Sequence, residues 1–122
     1  MWLATASGGG PHLVPLSFLW DTERLLFATS ATSRTGRNLL ENERGRAAVG
    51  DTRDLVTVVG SVSPVDAKDT ASAQAFADRL GFTPRDVGPS DTLFALTPQG
   101  IQTWIERADA DRWVMRDGHW IA

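Results

Sequence analysis

At 122 residues the chain suits one domain, residues 1–122, with a modest core, and 42 % hydrophobic against 22 % charged residues is the balance of a soluble globular protein. The absence of cysteine removes disulfides, zinc–thiolate sites and cysteine nucleophiles, and a net charge of −3 argues against a nucleic-acid partner. No apolar run approaches the roughly 20 residues of a membrane span, and no signal peptide is visible, so no membrane partner and a cytoplasmic location are expected.

WLATAS (2–7) reads as a strand, and GGGP (8–11) as a turn. HLVPLSFLW (12–20) is apolar and β-rich. Pro15 cannot donate to a ladder, so an edge or a bulge is expected there. DTER (21–24) turns the chain into LLFATS (25–30), and the two runs predict a hairpin. Ser33 caps a short helix over about 34–42, with Leu39 and Leu40 facing the core. Gly36 inside it costs about 1 kcal/mol relative to Ala. Close approach to a ligand or close packing against a strand would explain it.

RAAVGD (46–51) and DLVTVVGSVSPV (54–65) are strands, with Gly60 marking a bulge or a close approach. The GDTRD stretch (50–54) predicts a turn with a local Asp–Arg pair. A second helix over about 67–80 has Asp66 or Asp69 in front, Gly81 behind, and Ala73, Phe76, Ala77 and Leu80 at helical spacing. FTPRDVGPSD (82–91) is a loop. TLFALTP (92–98) and GIQTWIERA (100–108) are strands, and 111–122 is a last hairpin turning at Asp117-Gly118. The order β-β-β-α-β-β-α-β-β-β, without βαβ alternation, favours a mainly β fold, an antiparallel barrel with short helices attached. Because the first strand begins at residue 2, a leading helix is expected to have been lost, either by trimming or in the gene model.

The stretch TSATSRTGRNLL (29–40) places hydroxyls and arginines at a helix start. The first N–H groups of a helix have no intrahelical acceptors, and its dipole favours negative charge there. Thr29, Ser33 and Thr35 can donate hydrogen bonds, and Arg34 and Arg37 can add charge-assisted contacts to a phosphate. A capped surface helix with solvated arginines has the same residue pattern. No catalytic motif accompanies it. The triple Gly at 8–10 leads into a strand, so it is no dinucleotide-binding turn. His12 and His119 are far apart and show no metal-ligand spacing; His12 reads as a structural histidine.

The ordered set PHLVPLSFLWD, LLFATS, SRTGRNLLENER and GDTRDLVTVVG resembles the split β-barrel flavoproteins of the pyridoxamine 5′-phosphate oxidase-like superfamily, and most closely its actinobacterial members that bind FMN or the deazaflavin coenzyme F-420. The resemblance implies an FMN-binding split barrel and a homodimer with cofactor sites at its interface. It implies that Val14, Pro15, Leu16, Ser17, Phe18 and Leu19 lay their backbone along the ring system. Ala28 and Thr29 would sit beside the phosphoribityl chain. Ser33, Arg34 and Thr35 match the phosphate-binding Ser-Arg-Lys, with Thr35 replacing the Lys, so affinity would rest on Arg34, with Arg37 and hydroxyl donors. Trp104 would border the ring and Arg112 reach the cofactor from the second subunit; a core or interface Trp without a ligand and a surface ion pair with a neighbouring Asp are the plainer readings.

The function implied is FMN- or deazaflavin-dependent hydride transfer to or from a small organic substrate, with no obligatory protein acid or base. ERADAD (106–111) lacks the Arg and His of true pyridoxine-phosphate oxidases. The deazaflavin's polyglutamyl tail would favour a basic groove, for which Arg34, Arg37, Arg44 and Arg46 are candidates, as they are for a solvated helix face. The alternative is a carrier or sensor on the same barrel that holds flavin or haem without turnover, its axial ligand drawn from His12, His119, Met1 and Met115.

Overall fold

The structure, a computed structural model, describes residues 1–66, 68–81, 91–106 and 112–121. In chain order the elements are β1 (Trp2–Ser7), β2 (Gly10–Pro15), β3 (Leu19–Trp20), β4 (Leu25–Ser30), α1 (Arg34–Asn42), β5 (Arg44–Asp51), β6 (Asp54–Pro64), α2 (Thr70–Leu80), β7 (Asp91–Ile105), β8 (Trp113–Arg116) and β9 (His119–Trp120). Every pairing is antiparallel, and the sheet runs β2-β1-β5-β6-β7-β4-β3, with β8 on β7 and β9 on β8.

That order forces curvature. β2 is one end of the strand order and β3 the other, yet only residues 16–18 join them. Four residue steps span at most about 14 Å. The sheet must therefore curl until its edges nearly meet, giving an antiparallel barrel split between β2 and β3. α1 packs against β1, β4, β2 and β6.

The expected hairpin between 12–20 and 25–30 is thus divided. Residues 10–15 pair with β1, and only Leu19 and Trp20 pair with β4. Pro15 does lie on an edge strand. Met1 and Leu16 exchange both backbone hydrogen bonds at 2.9 Å, which puts Leu3–Val14 and Thr5–His12 at the bonded positions and Pro11, Leu13 and Pro15 between them. Both prolines fall where the missing N–H would have pointed out of the sheet, so neither breaks the ladder.

The run 92–105 is one strand, not two. Pro98-Gln99-Gly100 is absorbed as a bulge: Val59 pairs with Gly100 and Gly60 with Pro98, leaving Gln99 without a partner in β6. The Gln99 carbonyl instead accepts the Gly118 N–H at 2.7 Å. A Cβ on Gly60 would lie 1.9 Å from the Thr97 carbonyl oxygen, so the bulge and the close approach coincide.

Alternate strand residues fill the barrel: Leu3, Leu25, Phe27, Val58, Val62, Phe94, Leu96, Ile101 and Met115 form its core with Leu39 of α1. Leu40 is a correction, exposed at 49 % against 1 % for Leu39. A second cluster lies on the other face of β4 and β7, where Phe76 of α2 covers Leu26, Leu93 and Ala95. Asp69 caps α2 and Gly81 ends it at φ 80°. The turn at Asp117-Gly118 has positive φ at both residues (51° and 81°), the type I′ signature of a tight hairpin. The predicted loop at 82–91 falls on residues outside those described up to 90, as do residues 107 and 108 of the predicted strand. No helix among the described residues is long and apolar enough to cross a membrane.

Candidate functional site

β4 delivers the chain to the N-terminus of α1. Ser33 (φ −68°, ψ 164°) is the cap, its Oγ accepting the Gly36 N–H at 3.0 Å. The same hydroxyl donates to the Ser30 carbonyl at 2.7 Å, so its contact with Thr29 Oγ1 at 3.4 Å leaves Thr29 as donor. Ser33 thus builds the turn and keeps no proton for a ligand. Thr35 is 3 % exposed, beneath the surface rather than on it. Arg34 and Arg37 are both exposed, three residues apart on one face. Arg34 Nη2 donates to the Gly9 carbonyl at 3.1 Å, clipping the helix start to the β1–β2 turn.

The charge order of α1 runs against its dipole. No carboxylate lies in its first turn, where Arg34 and Arg37 stand, and no base in its last turn, where Glu41 precedes the Glu43 cap. Each such mismatch costs about 0.3–1 kcal/mol, and an anion held at the N-terminus offsets it. Arg44 and Arg46 belong to β5, past the other end of the helix, so the four arginines are not one helix face.

The strands beside α1 offer backbone. Among the described residues β2 pairs only with β1, and Phe27–Thr29 of β4 pairs only with β7. Their free edges border the split. Val14, Leu16 and Phe18 pack against the core, while Pro15 and Ser17 are exposed. Ala28 and Thr29 point to opposite faces: Ala28 packs into the cluster under α2. Their side chains cannot meet one ligand on one face; the backbone edge they share can.

Trp104 and Arg112 lie elsewhere. Thr29 pairs with Thr92 at the start of β7, and Trp104 is near its other end, opposite Leu55. Along β7 that is roughly 40 Å at about 3.3 Å per residue. None of the contacts they make among the described residues is to α1. They do join each other: the Arg112 guanidinium stacks 4.4 Å from the Trp104 ring centroid, and the Trp104 indole N–H donates to Thr57 Oγ1 at 3.1 Å. An open cleft of about 340 Å³ here is lined by Thr52, Arg53, Trp104, Ile105, Glu106 and Arg112. The ion pair expected within 50–54 is not internal: Arg53 faces Glu106 at 3.5 Å, while Asp51 accepts the Arg53 backbone N–H. Sequence reading missed Arg53 as a neighbour of Trp104 because 51 positions separate the two, and Glu106 because its signal was only the acidic ERADAD stretch, of which 107–111 lies outside the described residues. Among those described, no cluster of His, Asp or Glu could hold a metal ion. His12 is half-buried opposite the buried Thr5, and His119 is exposed.

A sequence profile described as pyridoxamine 5′-phosphate oxidase matches residues 1–105. No curated protein matches the sequence. Among solved structures, the chain is similar to general stress protein 26 of Bacillus anthracis (TM-score 0.68, 21 % identity, 84 % of this chain and 81 % of that one). It is similar to a pyridoxamine 5′-phosphate oxidase-related, FMN-binding protein of Nostoc punctiforme (TM-score 0.64, 19 % identity, 88 % and 74 %). It also resembles a haem-binding protein of Mycobacterium smegmatis (TM-score 0.71, 17 % identity, 91 % of this chain), of which it spans 51 %. At these identities the likeness is one of fold.

Proposed function

We propose, since the chain belongs to the pyridoxamine 5′-phosphate oxidase family, that it binds FMN with its phosphate at the N-terminus of α1 and works as a cytoplasmic, homodimeric oxidoreductase on a small organic molecule. The observation that carries this reading is the reversed charge of α1: two arginines beside the positive end of the dipole, next to N–H groups of Arg34 and Thr35 that have no intrahelical acceptor. A dianionic phosphate satisfies both. The flavin ring, when bound, supplies the hydride chemistry. The chain's own part is to hold and orient it: Arg34 and Arg37 by charge, the free edges of β2 and β4 by backbone, Trp104 and Arg112 from the second copy. The deazaflavin coenzyme F-420 has the same kind of ring and is the alternative occupant.

A flavin titration followed by absorbance and fluorescence tests this. Arg34→Ala should weaken FMN at least tenfold, as expected of a charge-assisted contact of roughly 1.5–3 kcal/mol. Arg37→Glu should also weaken FMN while raising the stability of the ligand-free protein by about 0.3–1 kcal/mol, because it restores the charge the dipole prefers. Unchanged affinity in both variants overturns the phosphate site. A second reading, a carrier or sensor without turnover, is supported by the neutral, buried Thr35; a haem spectrum lost in His12→Ala would mark its haem-binding form.

A further inference from the structure

Arg53 and Glu106 stand in the cleft beside Trp104 with no part in the site described so far. Their ion pair is 3.5 Å long, and the side chains are 79 % and 62 % exposed. Such a pair contributes little to folding, so the Arg53 guanidinium is easily turned to another acceptor. Two guanidiniums therefore line one cleft with one aromatic. Arg112 covers a face of the Trp104 ring, Thr57 fixes the ring plane, and Arg53 lines the same cleft from the β5–β6 turn. That turn is itself tied down, the Glu106 N–H donating to the Arg53 carbonyl at 3.2 Å.

We propose that Arg53 is a second cationic contact for a planar ligand bearing acceptor oxygens, and that Glu106 is a built-in competitor the ligand displaces from it. The inference rests on the flavin reading above and assigns these residues to the ring end of the cofactor rather than its phosphate. Trp104 stacks; Arg112 and Arg53 supply hydrogen-bond donors to ring oxygens; Glu106 sets how much of the Arg53 charge is free. The competition makes the prediction directional, since losing Glu106 should help and losing Arg53 should hurt.

Riboflavin, which has the ring but no phosphate, separates the two ends. Its binding and that of FMN are read by flavin fluorescence in the full-length wild type, Arg53→Ala, Glu106→Gln and Arg34→Ala. Arg53→Ala should weaken both ligands by roughly three- to tenfold, and Glu106→Gln should tighten both by about threefold. Arg34→Ala should weaken FMN alone. FMN binding that Arg53→Ala leaves unchanged overturns this inference while the flavin reading stands, as does weaker binding in Glu106→Gln. Failure of the wild type to bind either flavin overturns both.

Discussion

Gly36 shows how one residue is decided by its surroundings. On an exposed helix, Gly→Ala stabilises by up to about 1 kcal/mol. Here a Cβ would lie 2.1 Å from the Ser30 carbonyl oxygen and 2.8 Å from the Ala31 Cα, both backbone atoms. Of the two reasons the sequence left open, packing against the end of β4 is the one the structure supplies. Gly36→Ala should therefore destabilise, by about 1–3 kcal/mol, the range for overpacking; urea unfolding reads the sign. Leu39 and Leu40 make the converse case, two adjacent leucines of equal hydropathy of which only one meets the core.

At the scale of elements, α2 is fixed less by propensity than by its docking. Phe76 plugs the cluster under the helix. Its N-terminus is tied to the β3–β4 turn through Arg24, which donates to Asp21 at 2.8 and 3.0 Å and to Ser72 Oγ at 2.9 Å, while Ser72 donates to Asp69 at 2.6 Å. Burial pushes the Asp21 carboxyl up, but the N–H groups of Glu23 and Arg24 and the Arg24 guanidinium outweigh it and hold the group below its usual value. Asp69 is held low by the Ser72 hydroxyl and N–H, helped by Arg24. A carboxylate lowered in the folded state stabilises above its unfolded value, about 3.9, and that stability is lost as pH falls through the folded value. The urea midpoint should therefore drop between pH 6 and pH 3, and Arg24→Ala should narrow the difference. An equal drop in wild type and variant would place the acid sensitivity elsewhere.

At the scale of the whole molecule, the described residues leave one barrel face largely apolar. Register puts Leu13, Ala4, Arg46 and Val59 in one row and Pro15, Trp2, Ala48 and Thr57 in the next, all on the side away from the core. Leu13 is 59 % and Trp2 51 % exposed, and Trp104 joins them through Thr57. Arg46 is the one charge in these rows. A contiguous apolar face of this kind suits a self-complementary contact. Light scattering should find a dimer. Leu13→Asp should give a folded monomer by circular dichroism whose FMN affinity falls, and a dimer that survives the substitution would move the interface to another face.

What the sequence alone determined is local: the caps at Ser33 and Gly81, an aspartate cap at Asp66 or Asp69 of which the structure uses Asp69, the turn at Asp117-Gly118, the period of each strand, and the basic, hydroxyl-rich helix start. These depend on residues within one turn or one hairpin of each other, so neighbours in sequence suffice to specify them. Tertiary structure decided which edge β2 occupies, where 12–20 divides, how the break at Pro98-Gly100 becomes a bulge, and which face of β4 each of Ala28 and Thr29 takes. It also decided that Ser33 spends its proton on the turn and that Arg53 meets Glu106. Each of these rests on a partner strand or side chain distant along the chain, and the curvature that brings such partners together belongs to the closed sheet, not to any one segment.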